Sequence, residues 1–412
     1  MRIKYLLYLG ASFFILLMAS SWSAAAWYDS GWNYRKSHVI NKATGAGTNY
    51  QVKITVHYSG TADSGGDVYC NSHSKTDFGD IRFTGSDGTT LLDYWMESKT
   101  DSNNAVFWVE VKDSLESNNQ TIYIYYGNSG VSTTSSGDNT FLFFDDFGSL
   151  DWNKWEYWPN VNETGTATAE VHNSRTCVKV SGTTNSCTKG GYIRTKVFSL
   201  GPSDTARLEM RYLDYTASNG GPWSGFCRDN AVKDGGCDGN YYFPYPTSVS
   251  SGWTDAYYKS VSGTWYGGAL SGGNTNAISC WKRGDGQFTW ISAGGSSADR
   301  DALSGTYKIL IGGYGGFSSY FNTWIDCIFV RKYVASEPAH STWGSEESPP
   351  HSSYKTKVGN ARDWAWKIVY STDAVNTVPS GTPIDWTWRT WEPGSGRKVP
   401  QGTAADWTWG AE

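Results

Sequence analysis

The chain has 412 residues, a length that favours two or three domains. It contains 22 Trp, 27 Tyr and 47 Gly with only 18% charged residues, which favours strands and turns over long solvated helices. A formal net charge of −5 without a basic cluster argues against nucleic acid and anionic lipid as partners.

Residues 1–26 have the layout of a secretory signal peptide. Arg2 and Lys4 give a positive start, residues 5–18 form an apolar core too short for a comfortable bilayer span, and residues 23–26 include small side chains suited to cleavage. An uncleaved membrane anchor is the alternative. The sequence therefore predicts a secreted protein, extracellular or on the cell surface, with no later membrane span.

Seven cysteines in a chain predicted to be exported favour disulfide bonds. The spacing of the cysteines does not fix their connectivity. Cys70 is left over in the front part, and the absence of a Cys-x-x-Cys motif argues against zinc. Two candidate pairs are close in sequence and a third would join two strands: Cys177 with Cys187, Cys227 with Cys237, and Cys280 with Cys327.

Residues 27–140 consist of short strand patterns separated by turn residues. Apolar and polar side chains alternate in residues 50–58, as on a half-buried strand. Residues 105–111 and 121–126 are more continuously apolar, as central strands are. The pattern predicts a series of short β-strands joined by turns.

Several short motifs in this part follow one another in an order that is similar to that of a known family. They are Trp32-Asn-Tyr-Arg-Lys, Asp80-Ile-Arg-Phe-Thr, Trp108-Val-Glu-Val and Ile124-Tyr-Tyr-Gly-Asn. Residues 27–140 resemble a domain of unknown function that is common in exported archaeal and bacterial proteins. The resemblance implies a jelly-roll-like β-sandwich and no known catalytic set.

Two apolar segments bracket the next part of the chain. Residues 141–147 and 323–333 are short and rich in aromatic and β-branched residues, and each is predicted as a buried strand. Roughly ten short strands with turn signals between them are typical of a two-sheet sandwich. We therefore predict a second antiparallel sandwich over residues 141–335, in which the two segments pair and place Phe144 and Ile328 in one folding unit.

The start and the end of this second part also carry a resemblance. Phe144-Asp-Asp-Phe and Leu150-Asp-Trp-Asn-Lys-Trp lie at its start, and Trp324-Ile-Asp-Cys-Ile-Phe-Val lies at its end. Together they resemble the laminin-G/concanavalin-like sandwich of lectins and glucanases. The resemblance implies a concanavalin-like fold and a choice between sugar binding and sugar cleavage.

In laminarinase-like relatives, an Asp of the last strand helps to hold a structural calcium ion with groups near the first strand. The resemblance therefore implies Asp326, together with Asp145 and Asp146, as candidate Ca²⁺ ligands. Carboxylate oxygens suit this ion, although three acids do not complete its shell. The alternative is that these residues hydrogen-bond a turn or lie on the surface.

Retaining glycosidases of this fold use two Glu residues on one strand, with carboxyl groups about 5 Å apart. Neither Glu-x-Asp-x-Glu nor Glu-x-Asp-x-x-Glu occurs in the chain, and Glu163, Glu170 and Glu209 are isolated along the predicted strands. A Gly-x-Ser-x-Gly motif is also absent. The sequence disfavours catalysis without excluding it.

Aromatic residues close to glycines favour sugar binding in the second sandwich. Flat rings stack on sugar faces, while polar groups beside them orient the ligand through hydrogen bonds. The alternative is that the rings fill the sandwich core. The candidate ligand-binding residues are Trp223, Tyr241, Tyr242, Tyr258 and Trp265.

Residues 336–350 are predicted as a linker, and residues 351–412 as a Trp-rich tail. An Asp-Trp-x-Trp motif occurs three times in the tail, at spacings of 22 and 21 residues, which indicates a repeated β-type unit. The tail either packs on the sandwich or docks on another subunit or a cell-wall partner by strand addition. The docking candidates are Trp364, Trp366, Trp386, Trp388, Trp407 and Trp409.

These patterns predict an all-β chain of two consecutive antiparallel sandwiches, jelly-roll-like and concanavalin-like, with a repeat tail. The expected function is that of a secreted, non-catalytic surface protein that binds glycans or other surface partners, as an adhesin or envelope component. Structural Ca²⁺ is the one cofactor considered. The alternatives are a structural subunit of an extracellular filament or sheath that assembles through the tail, and a glycoside hydrolase.

Overall fold

The computed structural model describes residues 25–60, 62–157, 164–184, 192–201, 204–217, 220–222, 224–228, 241–248, 252–259, 265–269, 278–284, 287–291, 297–301, 306–315, 319–350, 354–358 and 365–369. Within these ranges the regular secondary structure is almost entirely β-strand, as the composition predicted. No helical segment in these ranges has the length and hydropathy that a bilayer crossing needs.

Strands β1 to β7 build most of the front sandwich. Alternation along β2 follows the sequence pattern, because Val52, Ile54 and Val56 are buried while Lys53 is exposed. One sheet contains β1, β7 and β4 and the other has the order β3-β2-β6-β5, in which β3 is parallel to β2. The bounds are β1 (Tyr34–Ile40), β2 (Tyr50–His57), β3 (Asp67–Tyr69), β4 (Arg82–Thr84), β5 (Tyr94–Thr100), β6 (Asn104–Val111), β7 (Gln120–Tyr126) and the helical turn α1 (Gly137–Thr140).

Strands β8 to β23 build the second sandwich. Their bounds are β8 (Phe143–Asp145), β9 (Trp155–Tyr157), β10 (Thr164–His172), β11 (Arg175–Thr184), β12 (Tyr192–Thr195), β13 (Ala206–Ala217), β14 (Gly220–Pro222), β15 (Gly225–Arg228), β16 (Tyr241–Ser248), β17 (Gly252–Lys259), β18 (Trp265–Ala269), β19 (Ile278–Gly284), β20 (Gln287–Ile291), β21 (Ser297–Asp301), β22 (Tyr307–Gly315) and β23 (Ser319–Lys332).

The second sandwich has two eight-stranded sheets. The β23 sheet has the order β10-β11-β23-β13-β19-β20-β21, with β8 paired to β23. The β16 sheet has the order β18-β17-β16-β15-β22-β12-β9, with β14 paired to β22. The core between them takes Ile328 and Leu208 from the first sheet and Ile193 and Ile309 from the second.

The predicted pairing of the first and last strands of this sandwich is confirmed. Strand β8 is antiparallel to β23, with Phe144 opposite Phe329 and Asp145 opposite Ile328. Phe144 and Ile328 therefore belong to one folding unit. Two apolar segments that are far apart in sequence close the sheet because each has one face to bury in the sandwich core.

The predicted linker at residues 336–350 is wrong, because most of it is part of the front sandwich. Strand β24 (His340–Trp343) pairs antiparallel with β1, which gives that sheet the order β24-β1-β7-β4. Beyond β24, the backbone N–H and C=O of Glu347 bond the C=O and N–H of Arg35 at 2.8 and 3.0 Å. We call residues 339–347 the strap. The second sandwich is thus inserted into the front sandwich rather than joined after it.

The two sandwiches pack through an aromatic cluster. Side chains of β8 and β23 alternate, so that Ile328 lies in the sandwich core while Phe144 and Phe329 pack against Trp95 and Trp108 of the front sandwich. The ring centroids of Trp95 and Phe144 are 4.9 Å apart, and those of Trp108 and Phe329 are 5.6 Å apart. The front sandwich therefore packs on β8 and the adjoining part of β23, and the β16 sheet lies on the other side of the core.

The tail forms a separate compact unit that begins at Ser348. Its described part is a two-stranded antiparallel sheet of β25 (Tyr354–Val358) and β26 (Ala365–Val369), with Lys357 opposite Trp366. The first docking candidate, Trp364, lies outside the described residues. So do Trp386, Trp388, Trp407 and Trp409, so the docking hypothesis stays a prediction.

The predicted disulfide between Cys280 and Cys327 is wrong. Their strands lie on opposite sides of β13, where Cys280 is opposite Glu209 and Cys327 is opposite Arg211. Two strand spacings amount to about 10 Å, which exceeds the Cα separation of roughly 7 Å that a disulfide can span. The thiol of Cys327 is free and buried.

The other cysteines divide into free thiols and untested positions. Cys177 is also free, and its thiol donates to the Glu170 carbonyl oxygen at 3.5 Å, so it has no disulfide to Cys187. Burial raises the pKa of Cys177 to about 11, which favours the neutral thiol. Cys70 is free and buried in the front sandwich. The remaining candidates are Cys227, whose backbone alone is described, and Cys187 and Cys237, which lie outside the described residues.

Candidate functional site

A cleft of about 630 Å³ opens in the front sandwich beside the edge strands β24 and β3. One wall is the loop before β3 and the turn after it, and the other wall is the strap. Most of its lining is polar, and one aromatic ring is included. The lining residues are Lys36, Ala62, Asp63, Ser64, Gly65, Asn71, Ser341, Thr342, Trp343, Gly344, Ser345 and Glu346.

A buried ion pair fixes the loop at one wall of the cleft. Lys36 on β1 is only 3% exposed, and its Nζ lies 2.7 Å from Asp63 Oδ2. The same ammonium donates to the Tyr69 carbonyl oxygen, and Asp63 Oδ1 accepts the Tyr69 N–H, both at 2.8 Å. Because a buried charge is costly without partners, these contacts hold the loop in one place.

Glu346 of the strap joins three parts of the front sandwich. Its Oε2 accepts the Tyr126 hydroxyl at 2.7 Å and the Asn71 amide N–H at 3.1 Å, and His73 Nδ1 lies 3.1 Å from Oε1. Tyr126 is fully buried, and this burial raises its pKa well above the ordinary value. The hydroxyl therefore stays neutral and donates to the carboxylate.

Trp343 places its indole against a pair of histidines. Its ring stacks on His38 with centroids 3.7 Å apart, and its Nε1 donates to the Gly65 carbonyl oxygen at 3.0 Å. His38 Nε2 lies 2.8 Å from Nδ1 of His340. Burial and then the charge of His340 lower the pKa of His38 to about 3, while a backbone hydrogen bond to Thr342 opposes this shift. His38 is therefore neutral at physiological pH.

We expect this histidine pair to make the front sandwich sensitive to acid. The pKa of His38 falls from 6.5 to about 3 on folding, so between these values the unfolded chain binds a proton that the folded chain does not. Stability is therefore complete above pH 6.5 and decreases as the pH falls, by at most about 1.4 kcal/mol per pH unit for one histidine. Urea unfolding at pH 7 and pH 5 measures this loss.

The variant His38→Phe keeps a ring for Trp343 and removes the titration, so its unfolding free energy should change less between the two pH values. An equal change in the variant and the original chain would show that His38 is not the titrating group.

The predicted sugar-binding aromatics fall mainly on neighbouring strands of the β16 sheet. Tyr242 on β16 is opposite Tyr258 on β17, and Trp265 on β18 is opposite Lys259. Tyr241 is the first residue of β16 and is opposite Cys227 of β15. The remaining candidate, Trp223, lies outside the described residues. The backbone thus brings four of the five predicted positions onto three adjacent strands.

The glutamates considered for catalysis have separate partners. Glu170 Oε1 accepts the Trp324 indole N–H at 2.7 Å. Glu209 is 5% exposed, and its Oε1 accepts from Arg331 Nε at 2.8 Å. Glu163 lies outside the described residues. Both described glutamates therefore act as hydrogen-bond acceptors for fixed side chains.

The calcium candidates do not fit a shared ion in this arrangement. Asp145 accepts the Phe147 N–H and the Trp155 indole N–H at 2.8 and 2.7 Å, and Asp326 is ion-paired with Arg211 and Arg175. Asp146 accepts the Gly148 N–H at 3.2 Å. The described residues contain no group of three or more His, Cys, Asp or Glu that could hold a metal. We therefore expect that removal of calcium leaves ligand binding unchanged, which an experiment with a chelator tests.

Sequence reasoning did not find the cleft of the front sandwich. Asn71 and Glu346 are 275 residues apart, so no local motif connects them. Trp343 gave the one available signal, because a tryptophan inside a supposed linker is more often packed than solvated.

Residues 77–158 match the family model described as a domain of unknown function, DUF2341. The match includes β4 to β7 and the first strands of the second sandwich, while β1 to β3 and the strap lie outside it. Comparison with curated proteins finds no match.

Several solved structures are similar in fold to part of the chain. A glycoside hydrolase family 16 endo-glucanase from Bacteroides ovatus is 15% identical, with 46% of this chain and 99% of that chain covered and a TM-score of 0.32. A β-glucanase of Bacillus licheniformis is 14% identical over 46% and 98%, with a TM-score of 0.31. The carbohydrate recognition domain of Emp47p is 11% identical over 45% and 100%, with a TM-score of 0.27. At these values the similarity decides neither activity nor ligand.

Proposed function

We propose that this chain is an exported cell-surface protein that binds glycans through the β16 sheet without cleaving them. The placement of Tyr241 on β16 and Trp265 on β18, on the face of this sheet opposite the core, carries the proposal. Phe226 is opposite the core residue Ile309 and also opposite Tyr242, so Tyr242 and its partner Tyr258 lie on the core side of the sheet. Tyr241 and Trp265 lie on the opposite, outer face, two strands apart. The front sandwich packs on the β23 sheet and leaves this sheet on the other side of the core.

A surface of this kind suits an extended polysaccharide. Rings spaced across one face of a sheet offer repeated stacking positions, and polar groups between them bind hydroxyls. Export and surface location rest on the signal-like residues 1–26. The tail, with its repeated Trp motif, is proposed to retain the protein at the surface or to join subunits by strand addition.

Substitution of the aromatic positions tests the proposal. In affinity gels that contain single polysaccharides, Tyr241→Ala and Trp265→Ala should each weaken retention about tenfold, the loss expected for a central aromatic contact. Tyr320→Ala is the matched control, because Tyr320 is 52% exposed on the β23 sheet. Equal retention of all three variants would contradict the proposed surface, and release of new reducing ends from a retained polysaccharide would contradict the non-catalytic role.

A further inference from the structure

Asn71 carries an unpaired acceptor at the cleft of the front sandwich. Its Nδ2 donates to Glu346, which fixes the orientation of the amide, and its Oδ1 is buried without a hydrogen-bond partner. Leaving a buried acceptor unpaired costs about 1–3 kcal/mol, and buried polar groups generally have a partner. A hydroxyl donor from a ligand in the cleft would supply one after a small movement of the cleft wall, because the Oδ1 atom is closed to solvent in the chain without ligand.

The backbone holds Asn71 in a costly conformation. Asn71 and Ser72 have φ angles of 51° and 65°, and the His73 N–H bonds the Cys70 carbonyl oxygen across them at 2.7 Å. Two consecutive left-handed residues, one of them a serine, form a tight turn that glycine would adopt more readily. Such strain persists where the surroundings fix it and is common at binding sites.

The charges of the cleft favour a neutral ligand. Its charged lining residues are Lys36, Asp63 and Glu346, with a formal sum of +1 − 1 − 1 = −1. The positive charge of Lys36 is already bound by Asp63 and by a carbonyl oxygen. An anion would therefore meet the Glu346 carboxylate without a free cation to offset it.

The volume of the cleft and the side chains that line it indicate the kind of neutral ligand that fits. The cleft volume of about 630 Å³ falls within the range of small-ligand sites. Trp343 supplies a partly exposed aromatic ring at the wall, and serines 64, 341 and 345 supply hydroxyl groups. An aromatic ring beside amide, hydroxyl and carboxylate groups can take a ligand with an apolar face and several hydroxyls.

We infer that the cleft is a second binding site, which takes a neutral saccharide unit and holds it through the Asn71 Oδ1 acceptor and the Trp343 ring. The site is built from both ends of the front sandwich, because Asn71 precedes the inserted sandwich and the strap follows it. It is distinct from the surface proposed on the β16 sheet and does not depend on that proposal.

Hydrogen–deuterium exchange of the full chain with single sugars tests this inference. The probes are the methyl glycosides of glucose, galactose, mannose, N-acetylglucosamine and glucuronic acid. At least one neutral glycoside should slow exchange in peptides that cover residues 62–73 and 341–346. Asn71→Ala should weaken this effect about tenfold, the equivalent of one lost hydrogen bond to a buried acceptor.

Three further variants keep the test decisive. Asn103→Ala replaces an exposed asparagine of the same sandwich outside the cleft and should behave as the original chain. Ser64→Leu places an apolar side chain at the exposed rim and should block binding without disturbing the core. Trp265→Ala should leave protection at the cleft unchanged, which separates this site from the β16 sheet. The inference is overturned if no neutral glycoside gives protection, if only the glucuronide does, or if Asn71→Ala and Ser64→Leu both bind as the original chain.

Discussion

A chain that ends at Pro338 should lose much of the stability of its front sandwich, whereas a chain that ends at Ser348 should keep it. The shorter chain lacks the strap, so β1 loses its partner β24, and the buried Tyr126 hydroxyl loses the Glu346 carboxylate. Arg35, which is 4% exposed, also loses its ion pair with Glu347.

Each buried group that loses its partner costs about 1–3 kcal/mol. We expect a total loss of about 5 kcal/mol, which corresponds to a melting temperature lower by about 10–20 °C for a domain of this size. Exchange of β1 and β7 amides should become fast while β13 and β23 stay protected. Equal melting of the two truncated chains would mean that residues 339–347 are the linker that the sequence suggested.

Replacement of Arg331 by Met should destabilise the contact between the two sandwiches by about 3 kcal/mol. Arg331 is 3% exposed, donates to Glu209 at 2.8 Å and to Glu337 at 2.5 and 3.1 Å, and lies 5.1 Å from the Trp108 ring centroid. Without it, the 5% exposed Glu209 keeps, among the described residues, the ion pair with Arg207 at 3.1 Å. Breaking a buried ion pair from one side is costly because a charge remains without its partner.

A double-mutant cycle separates this effect from lost packing. Arg331→Met combined with Glu209→Gln should be more stable than Arg331→Met alone, because the buried Glu209 carboxylate that lost Arg331 is then replaced by a neutral amide. Lys99→Met, which breaks an exposed pair with Asp101, should change the unfolding free energy by less than about 1 kcal/mol. If the double variant is no more stable than Arg331→Met, charge does not explain the loss.

The same cluster should respond to acid. Burial alone would raise the pKa of Glu337, but the hydrogen bonds and charges of Arg331 and Arg207 outweigh burial and lower it below 4.5. The stability from this carboxylate is therefore complete above its ordinary pKa and is lost as the pH falls through the lowered value. This loss begins at lower pH than the loss expected from His38, so of these two groups His38 alone contributes to the change in stability between pH 6.5 and pH 4.5.

Local patterns in the sequence were sufficient to predict the strands and the pairing of the first and last strands of the second sandwich. Residues 141–147 and 323–333 each have one face that needs an apolar partner, and this requirement was enough to predict their pairing. The sequence did not show what covers the other face of these strands. Phe144 and Phe329 pack against Trp95 and Trp108 of the front sandwich. This contact becomes apparent only when the two sandwiches are seen together.

The strap and the cleft could not be predicted, because both depend on contacts between distant residues. Strand β24 is short, and Glu346 and Glu347 are followed by a Ser-Pro-Pro segment that resembles a linker. Glu346 and Glu347 accept from Tyr126 and Arg35 only once β1 and β7 are beside them, and His38 and His340 are 302 residues apart. The front sandwich is therefore completed only after the inserted sandwich has been synthesised.

A glycan array probed with the purified chain, with and without a calcium chelator, tests the proposed function most directly. We predict binding to at least one glycan of neutral sugars. We also expect binding to be unchanged by the chelator, because Asp145 and Asp326 are bound by fixed donors. Binding to none of the glycans would contradict the proposed function, and loss of binding with the chelator would contradict the arrangement of these carboxylates.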